Sequence, residues 1–326
     1  MRMRTRLFRI VLAVLAVTLG LAAGNAAAQP YPNKVIRVIF QAPGGNTDII
    51  FRILQRKMEE MLGRQLVFEF RPGSGGIAGM EMTAKSAPDG YTTAVVASSF
   101  LINPSMVKNL PFDTIKDFTP LGLVAEIGIS VVVHPSLPAK NVKEFIALAK
   151  ARPGQIFFSS TGPGTSGHLT GELFNSLANI KLVHVGYKGL APSLIDLVGG
   201  HVQLSFPGIP SVIQYVRDGK LRMIGQCGRT RSPSSPDVPT MQEAGVPGFV
   251  VVGAFGFVGP AGLPAPIVEK LNSALVKALN DPGNRKELID LGTDPAGSTP
   301  GQHAAYNTAE IEKWKKVASA AGLKPE

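Results

Sequence analysis

The sequence predicts an α/β protein with two lobes joined by two extended crossover segments, in the manner of a hinged clamshell. Short apolar runs that alternate with helical patterns indicate parallel βαβ units. Two longer extended runs, residues 121–134 and 249–258, interrupt that alternation and predict the crossovers. The helices after the second run lack strands of their own, so we expect them to return to the first lobe. Glycine and proline, 36 and 26 residues, fit many tight turns.

The N-terminus has the three parts of a secretory signal peptide. Four arginines precede an apolar stretch over residues 10–23, and Ala26, Ala27 and Ala28 form a small-residue cleavage site. The apolar stretch is shorter than the roughly 20 residues that a spanning helix needs. Residues 1–28 are therefore predicted to be a signal peptide, and the mature protein is expected in the periplasm.

The first lobe is predicted over residues 29–125 and 253–326. Strands are expected at residues 34–40, 66–70 and 91–97, and apolar spacing predicts a helix over residues 47–62 that ends at Gly63. A short helix follows the glycine-rich loop at residues 71–79. The C-terminal helices are predicted at residues 266–279, 284–291 and 301–321.

The second lobe is predicted over residues 126–252. Helices are expected at residues 142–151, from about 169 to 177, through Leu194 and Leu197, and near 211–217. The intervening strands are predicted at residues 155–160, 181–187, 201–206 and 221–226.

Composition excludes several classes of site. The single cysteine, Cys227, excludes an internal disulfide and a cysteine-based zinc site. The five histidines form no H-E-x-x-H pair. Loss of the four N-terminal arginines would lower the formal net charge of +10 by four, which still favours anionic ligands. No basic run is interleaved with aromatic residues, so we expect no nucleic-acid partner.

The segment at residues 157–169 poses the main functional question. Gly162, Gly164 and Gly167 satisfy the dinucleotide fingerprint G-x-G-x-x-G between a strand and a helix. The next strand, however, ends without the acidic residue that would hold a ribose, and Pro163 removes an N–H from the turn. The pattern therefore favours anion binding at a helix N-terminus, and no cofactor is expected.

A serine hydrolase is the competing enzyme hypothesis. Ser166 or Ser98 would serve as nucleophile with a histidine as base, although the G-x-S-x-G elbow is displaced by one position at Ser166. The hypothesis requires a cavity serine within hydrogen-bond reach of a histidine nitrogen.

Nine motifs resemble those of the substrate-binding proteins of the tripartite tricarboxylate transporter system, the Bug family. They are A-P-G-G-N-T-D at 42–48, R-P-G-S-G-G at 71–76, A-P-D-G-Y-T at 87–92, I-N-P-S at 102–105, G-T-S-G-H-L at 164–169, V-H-V-G-Y-K-G at 183–189, D-L-V-G-G at 196–200, D-V-P-T at 237–240 and G-P-A-G at 259–262. They run in family order along essentially the whole mature chain. The resemblance implies a type II periplasmic-binding-protein-like fold without catalytic activity, which closes on a small carboxylate or a related organic acid or amino acid.

The helix-opening loops and the resemblance together give one candidate ligand site. Its residues are Gly44, Gly45, Asn46, Thr47, Asp48, Gly75, Gly76, Ser98, Ser99, Thr165, Ser166, His168, Gly186, Tyr187 and Pro207. In the family, backbone amides and ordered waters usually hold the carboxylate. This chain departs from the family pattern at Pro207 and Gly208, where a polar pair is usual, which puts a contact at position 207 in doubt and favours a less polar or bulkier ligand.

The resemblance also implies the partners. The ligand-bound protein would dock on the membrane permease subunits of the transporter, and a monomer is the expected state. A receptor that signals to a sensor protein would share the fold and the site.

Overall fold

Two β-sheets organise the chain. A computed structural model describes residues 31–72 and 76–320, together with 322, 323 and 325. Within these residues the strands, in chain order, are β1 Ile36–Phe40, β2 Leu66–Phe70, β3 Thr92–Val96, β4 Phe118–Gly128, β5 Ser130–Val133, β6 Phe157–Ser160, β7 Val183–Gly186, β8 Leu204–Ser205, β9 Arg222–Gln226, β10 Val252–Pro260 and β11 Thr293–Pro295. The predicted signal peptide lies outside the described residues.

The helices fill the connections between the strands. In chain order they are α1 Asn46–Leu62, α2 Ile77–Ala84, α3 Ser98–Met106, α4 Val142–Ala151, α5 Ser166–Ala178, α6 Leu190–Val198, α7 Ile209–Arg217, α8 Ala265–Asn280, α9 Pro282–Asp290 and α10 Pro300–Ala320. No helix among the described residues has both the length and the apolar character needed to cross a bilayer.

Each lobe is built on one sheet. The first has the order β11-β4-β10-β3-β1-β2, and the second has the order β7-β6-β8-β5-β9. Strands β1, β2 and β3 pair in parallel, as do β6, β7 and β8. The α/β two-lobe prediction is therefore confirmed.

The chain passes between the sheets in extended conformation. Strand β4 still pairs with β10 at its last residue, Gly128, whereas Ser130 already belongs to the second sheet. The chain returns through the segment that leads into β10, which also lies between β3 and β4. The exact lobe boundaries at residues 125/126 and 252/253 stay a prediction.

The C-terminal helices pack on the first lobe. Helix α8 lies against α1, and α10 lies against α3 and β4. The Trp314 side chain on α10 is 1% exposed, and the α1 residues Ile50, Phe51 and Leu54 are fully buried. Gly63 ends α1 in the left-handed conformation at φ +68°, as the sequence predicted, and its N–H donates to the Glu59 carbonyl.

Three elements differ from their predictions. Strand β11, Thr293–Pro295, lies between α9 and α10 and pairs with β4, although no strand was expected after residue 258. The strand expected at residues 201–206 is reduced to Leu204–Ser205. Helix α3 was not predicted as a helix, because Pro104 lies inside it. Proline removes a helical N–H donor and usually ends a helix, so the segment has an unfavourable local sequence. Packing of α3 against α10 offsets that cost.

Candidate functional site

A cavity of about 580 Å³ lies between the two lobes. It is lined by the loops that follow β1 and β3 in the first sheet and β6, β7 and β8 in the second. Carboxyl ends of parallel strands are the usual ligand-binding edge of an α/β sheet. The volume is that of a pocket for a small organic molecule.

Five helices begin at this cavity without a capping side chain. The residues preceding α1, α3, α5, α6 and α7 all line the cavity, and none accepts a hydrogen bond from its helix through its side chain; they are Gly45, Ala97, Thr165, Gly189 and Gly208. The first N–H groups of a helix have no partner within the helix. Their dipoles also favour negative charge, so the cavity wall is suited to an anion.

The loop before α1 is held by Asp48. Its Oδ2 accepts a hydrogen bond from the Gly44 N–H at 2.8 Å, and its Oδ1 forms an ion pair with Arg52 Nε at 2.7 Å. The carboxylate is buried and does not line the cavity. Asp48 was a predicted ligand residue, but in the structure it positions the loop that carries Gly45, Asn46 and Thr47.

Helix α3 supplies the other wall of the first lobe. The Ser98 hydroxyl accepts a hydrogen bond from the Ala254 N–H at 3.1 Å, which fixes the helix start to β10. Ser98, Ser99 and Asn103 all line the cavity and are buried as residues. Asn103 was not predicted.

In the second lobe, the hydroxyl groups of the loop after β6 form hydrogen bonds to the backbone of that same loop. Thr165 Oγ1 donates to the Gly162 carbonyl at 2.7 Å, and Ser160 Oγ accepts from the Gly162 N–H at 3.1 Å. These bonds hold the turn and leave the backbone at the start of α5 facing the cavity. Ser166, the first residue of α5, also lines it.

Tyr187 lines the cavity, but its hydroxyl is used within the second lobe. The hydroxyl donates to Asp196 Oδ2 at 2.6 Å, and burial together with that carboxylate raises the Tyr187 pKa to about 12. Gly186 and Pro207 complete this side of the lining. The Pro207 carbonyl accepts bonds from both the N–H and the hydroxyl of Ser130, so it is fixed to β5.

Four predicted residues lie outside the lining, and a fifth lies outside the described residues. Gly44 and Asp48 form the support of the α1 loop, while Gly76, at φ +88°, lies behind the Gln41 side chain. His168 accepts the Gly164 N–H through Nδ1 at 3.2 Å and stacks on the His184 ring with centroids 4.0 Å apart. Gly75 is the residue that falls outside the described part of the chain.

The cavity lining carries almost no charged side chains. Among the described residues that line it, none is Asp, Glu or Arg, and Lys188, an exposed residue, is the single charged side chain. Apolar side chains such as Ile127, Ile129 and Phe255 cover much of the remainder. No group of three or more His, Cys, Asp or Glu residues in the described ranges could hold a metal ion.

One cavity serine does approach a histidine. Ser160 Oγ lies 2.6 Å from His184 Nε2, whereas the hydrolase hypothesis had named Ser166 or Ser98. Burial and the neighbouring His168 lower the pKa of His184 to about 4. The Ser160 hydroxyl is also bonded to both the N–H and the carbonyl of Gly162.

Known proteins resemble the chain over most of its length. Residues 50–323 match the family model of the tripartite tricarboxylate transporter family receptor, TctC. The chain is 33% identical to the BugT protein of Bordetella pertussis over 323 residues, which is 98% of each chain.

Two solved structures of Rhodopseudomonas palustris proteins share the fold. Rpa4515 with adipate is 30% identical, has a TM-score of 0.88, and the match covers 91% of this chain and 100% of that one. MatC with bound malate is 31% identical, with a TM-score of 0.82 and coverage of 88% and 99%. The type II periplasmic-binding-protein-like fold and the resemblance predicted from the motifs are thereby confirmed: the chain belongs to the TctC family of tripartite tricarboxylate transporter receptors, with the Bug proteins among its relatives.

Proposed function

We propose that this chain is an extracytoplasmic solute receptor, which captures a small carboxylate-bearing molecule between its lobes and delivers it to a tripartite tricarboxylate-type membrane transporter. The observation that carries the proposal is the convergence of five uncapped helix starts on one cavity. Such N–H groups bind anions without a cationic side chain.

The composition of the lining supports a carboxylate over a cation. An ammonium group would find no carboxylate partner among the described lining residues, whereas an anion would meet backbone donors and the Lys188 charge at the edge. Adipate and malate, the ligands of the two related structures, are both small dicarboxylates. The apolar side chains in the wall would contact the carbon skeleton of such an acid.

The residues proposed to bind the ligand come from both lobes. Ten of the predicted residues line the cavity and keep that role in the proposal; they are Gly45, Asn46, Thr47, Ser98, Ser99, Thr165, Ser166, Gly186, Tyr187 and Pro207. The starts of α1 and α5 would hold one carboxylate between them.

Ligand binding would stabilise the arrangement in which the lobes touch. A Cβ added at Gly164 in the second lobe would lie 3.3 Å from Met106 Cβ in the first, and one at Gly208 would lie 2.6 Å from Asn46 Nδ2. A ligand that contacts both walls shifts the population toward this closed state. The closed form, monomeric and in the periplasm, is the form proposed to dock on the permease subunits.

A ligand panel tests the proposal. We expect dicarboxylates to raise the thermal unfolding temperature, since a ligand at about 100 times its Kd adds roughly 2.7 kcal/mol to the free energy of unfolding. Amino acids and amines of equal length serve as matched controls and should raise it less. Absence of any shift with dicarboxylates, tricarboxylates and aromatic acids would contradict carboxylate capture.

The contact between Ser160 and His184 raises hydrolysis as the second candidate. A general base works best with a pKa near the operating pH, and a pKa of about 4 makes His184 a weak base at neutral pH. We therefore expect no turnover of p-nitrophenyl acetate above that of a Ser160→Ala variant. A rate that this substitution abolishes would instead favour an enzyme.

A further inference from the structure

Helix α3 presents one row of side chains to the cavity. Ser99 and Asn103 are spaced four residues apart and both line the cavity, as does Val107 just after the end of the helix. Residues at i and i+4 share a helix face, so the row follows directly from the helical geometry. Asn103 is the second polar residue of this row, about one turn beyond Ser99.

The Asn103 side chain has an unmet hydrogen bond. The residue is 3% exposed, and its Nδ2 has no hydrogen-bond partner in the structure. Its backbone carbonyl is already used, since it accepts the Val107 N–H at 2.9 Å. Buried donors without a partner cost stability, and this one belongs to a residue that lines the cavity, where a bound molecule could accept its hydrogen bond.

The position of Asn103 separates it from the start of its own helix. It lies five residues after Ser98, which is about 7 Å along the helix axis at 1.5 Å per residue. Met106, three residues further, packs against Gly164 just before α5. A polar group beside Asn103 would therefore be displaced along α3 from the Ser98 N–H, toward the end of the helix that contacts the second lobe.

We propose that Asn103 is a ligand-binding residue, whose Nδ2 donates a hydrogen bond to a second acceptor group of the ligand. This rests on the proposed capture of a carboxylate. A dicarboxylate would place one carboxylate at the helix starts and the other at Asn103. The ligand would have no free amine, because the described lining offers no acidic side chain to an ammonium group. Ile127, Ile129 and Phe255 would contact the chain between the two acid groups.

The test compares one pair of ligands in two variants. Affinities of adipate and of hexanoate, which has the same carbon chain with one carboxylate, are measured by calorimetry for the wild-type protein, Asn103→Leu and Asn103→Asp. We expect both variants to lose about tenfold or more in affinity for adipate, the range of a hydrogen bond to a charged group. Hexanoate affinity should change little in Asn103→Leu.

A matched control separates ligand contact from general packing. Thr114 is also buried, at 5% exposed, and its hydroxyl has no partner, but it does not line the cavity. Thr114→Val should leave both affinities unchanged, and thermal unfolding without ligand shows whether each variant is folded.

Each outcome has a distinct meaning. Equal losses for adipate and hexanoate, or no loss for either, would overturn the Asn103 assignment and leave carboxylate capture standing. If no member of a series of straight-chain dicarboxylates that includes adipate bound the wild-type protein, both the assignment and the proposed function would be wrong. If Asn103→Leu were unfolded, Asn103→Asp, which preserves the side-chain shape, would decide, since its added negative charge should weaken adipate more than hexanoate.

Discussion

Three helices that start away from the cavity, α4, α9 and α10, carry a capping side chain, whereas the helices that start at the cavity carry none. Away from the cavity, Asn141 accepts the Glu144 N–H at the start of α4, and Asp281 accepts two N–H groups at the start of α9. Thr299 does the same for the Gln302 N–H in α10. The starts of α1, α3, α5, α6 and α7 at the cavity all lack such a bond. Helix α2, whose first residue Ile77 also lines the cavity, lacks one too, and so does α8, which starts elsewhere.

The difference indicates that capped helix starts contribute to stability, whereas uncapped starts leave N–H groups available for ligand binding. A capping side chain stabilises a helix by about 1 kcal/mol, and leaving it out exposes N–H groups to whatever fills the cavity. Thr165 is informative here, because it is a good capping residue whose hydroxyl instead donates to Gly162. The cavity thus keeps its donors available, while the outward helices α4, α9 and α10 satisfy theirs with side chains.

The largest expected effect comes from giving a cavity helix an ordinary cap at Gly208. Serine is a preferred residue before a helix, so Gly208→Ser would stabilise an outward helix. Here its Cβ would lie 2.4 Å from Ile127 Cδ1 and 2.6 Å from Asn46 Nδ2, across the cleft. We expect a loss of more than about tenfold in carboxylate affinity, measured by calorimetry, because the closed state is disfavoured.

The control for this substitution is the removal of a cap on the outer surface. Asn141→Ala should lower the free energy of unfolding by about 1 kcal/mol and leave affinity unchanged. If Gly208→Ser bound the wild-type ligand with unchanged affinity, the contact between Gly208 and Asn46 would not be part of the closed state.

A smaller effect is expected when a single backbone donor is deleted. Ser166 is the first residue of α5, a position that tolerates proline, and Thr165 before it is extended at φ −82° and ψ 163°. Ser166→Pro removes one N–H and should weaken carboxylate binding by about tenfold, as expected for a hydrogen bond to a charged group. The thermal unfolding temperature of the free protein should stay nearly unchanged.

Ser166→Ala is the matched variant, because it removes the hydroxyl but keeps the N–H. If the alanine variant lost as much affinity as the proline variant, the hydroxyl and not the backbone would be the donor. That result would undo the contrast between the two classes of helix start.

The fold could be predicted because its signals are local and repeated. Apolar spacing in α1 and the glycine at position 63 define that helix, and the two extended runs predicted the passages between the lobes. Helix α3 escaped prediction because Pro104 opposes it locally, while its packing on α10 involves residues some two hundred positions away.

The site was predictable at its loops and less so at its supports. Glycine and hydroxyl residues in the loops identified Gly45, Ser99 and Ser166, since the sequence shows which loops open helices. The inward turn of Asp48 depends on Arg52 and the Gly44 N–H, which only the folded loop brings together. Asn103 could have been found from its spacing to Ser99 had α3 been recognised.

The smallest effect concerns two histidines, one behind a cavity helix and one at an outward helix. His184 contacts Ser160 and stacks on His168 in α5, and His303 lies in the first turn of α10, where its Nδ1 accepts the Gly122 N–H. Burial lowers the pKa of both to about 4, with His168 adding to the effect at His184. In the unfolded chain a histidine has a pKa near 6.5.

Between pH 6.5 and pH 4 the unfolded state therefore binds more protons than the folded state, so stability falls as the pH is lowered. At pH 5.5 we expect each histidine to lower the free energy of unfolding by about 1 kcal/mol relative to pH 8. His303→Gln, which retains an acceptor for Gly122, should flatten this dependence without changing ligand affinity at any pH. His184→Gln should flatten it as well, but it should also alter the pH dependence of carboxylate affinity, because Ser160 and the α5 start lie against the cavity. Denaturant unfolding measures the free energy of unfolding across this pH range, and calorimetry measures the carboxylate affinity. If the affinity depended on pH in the same way for both variants, His184 would have no influence on the cavity that His303 lacks.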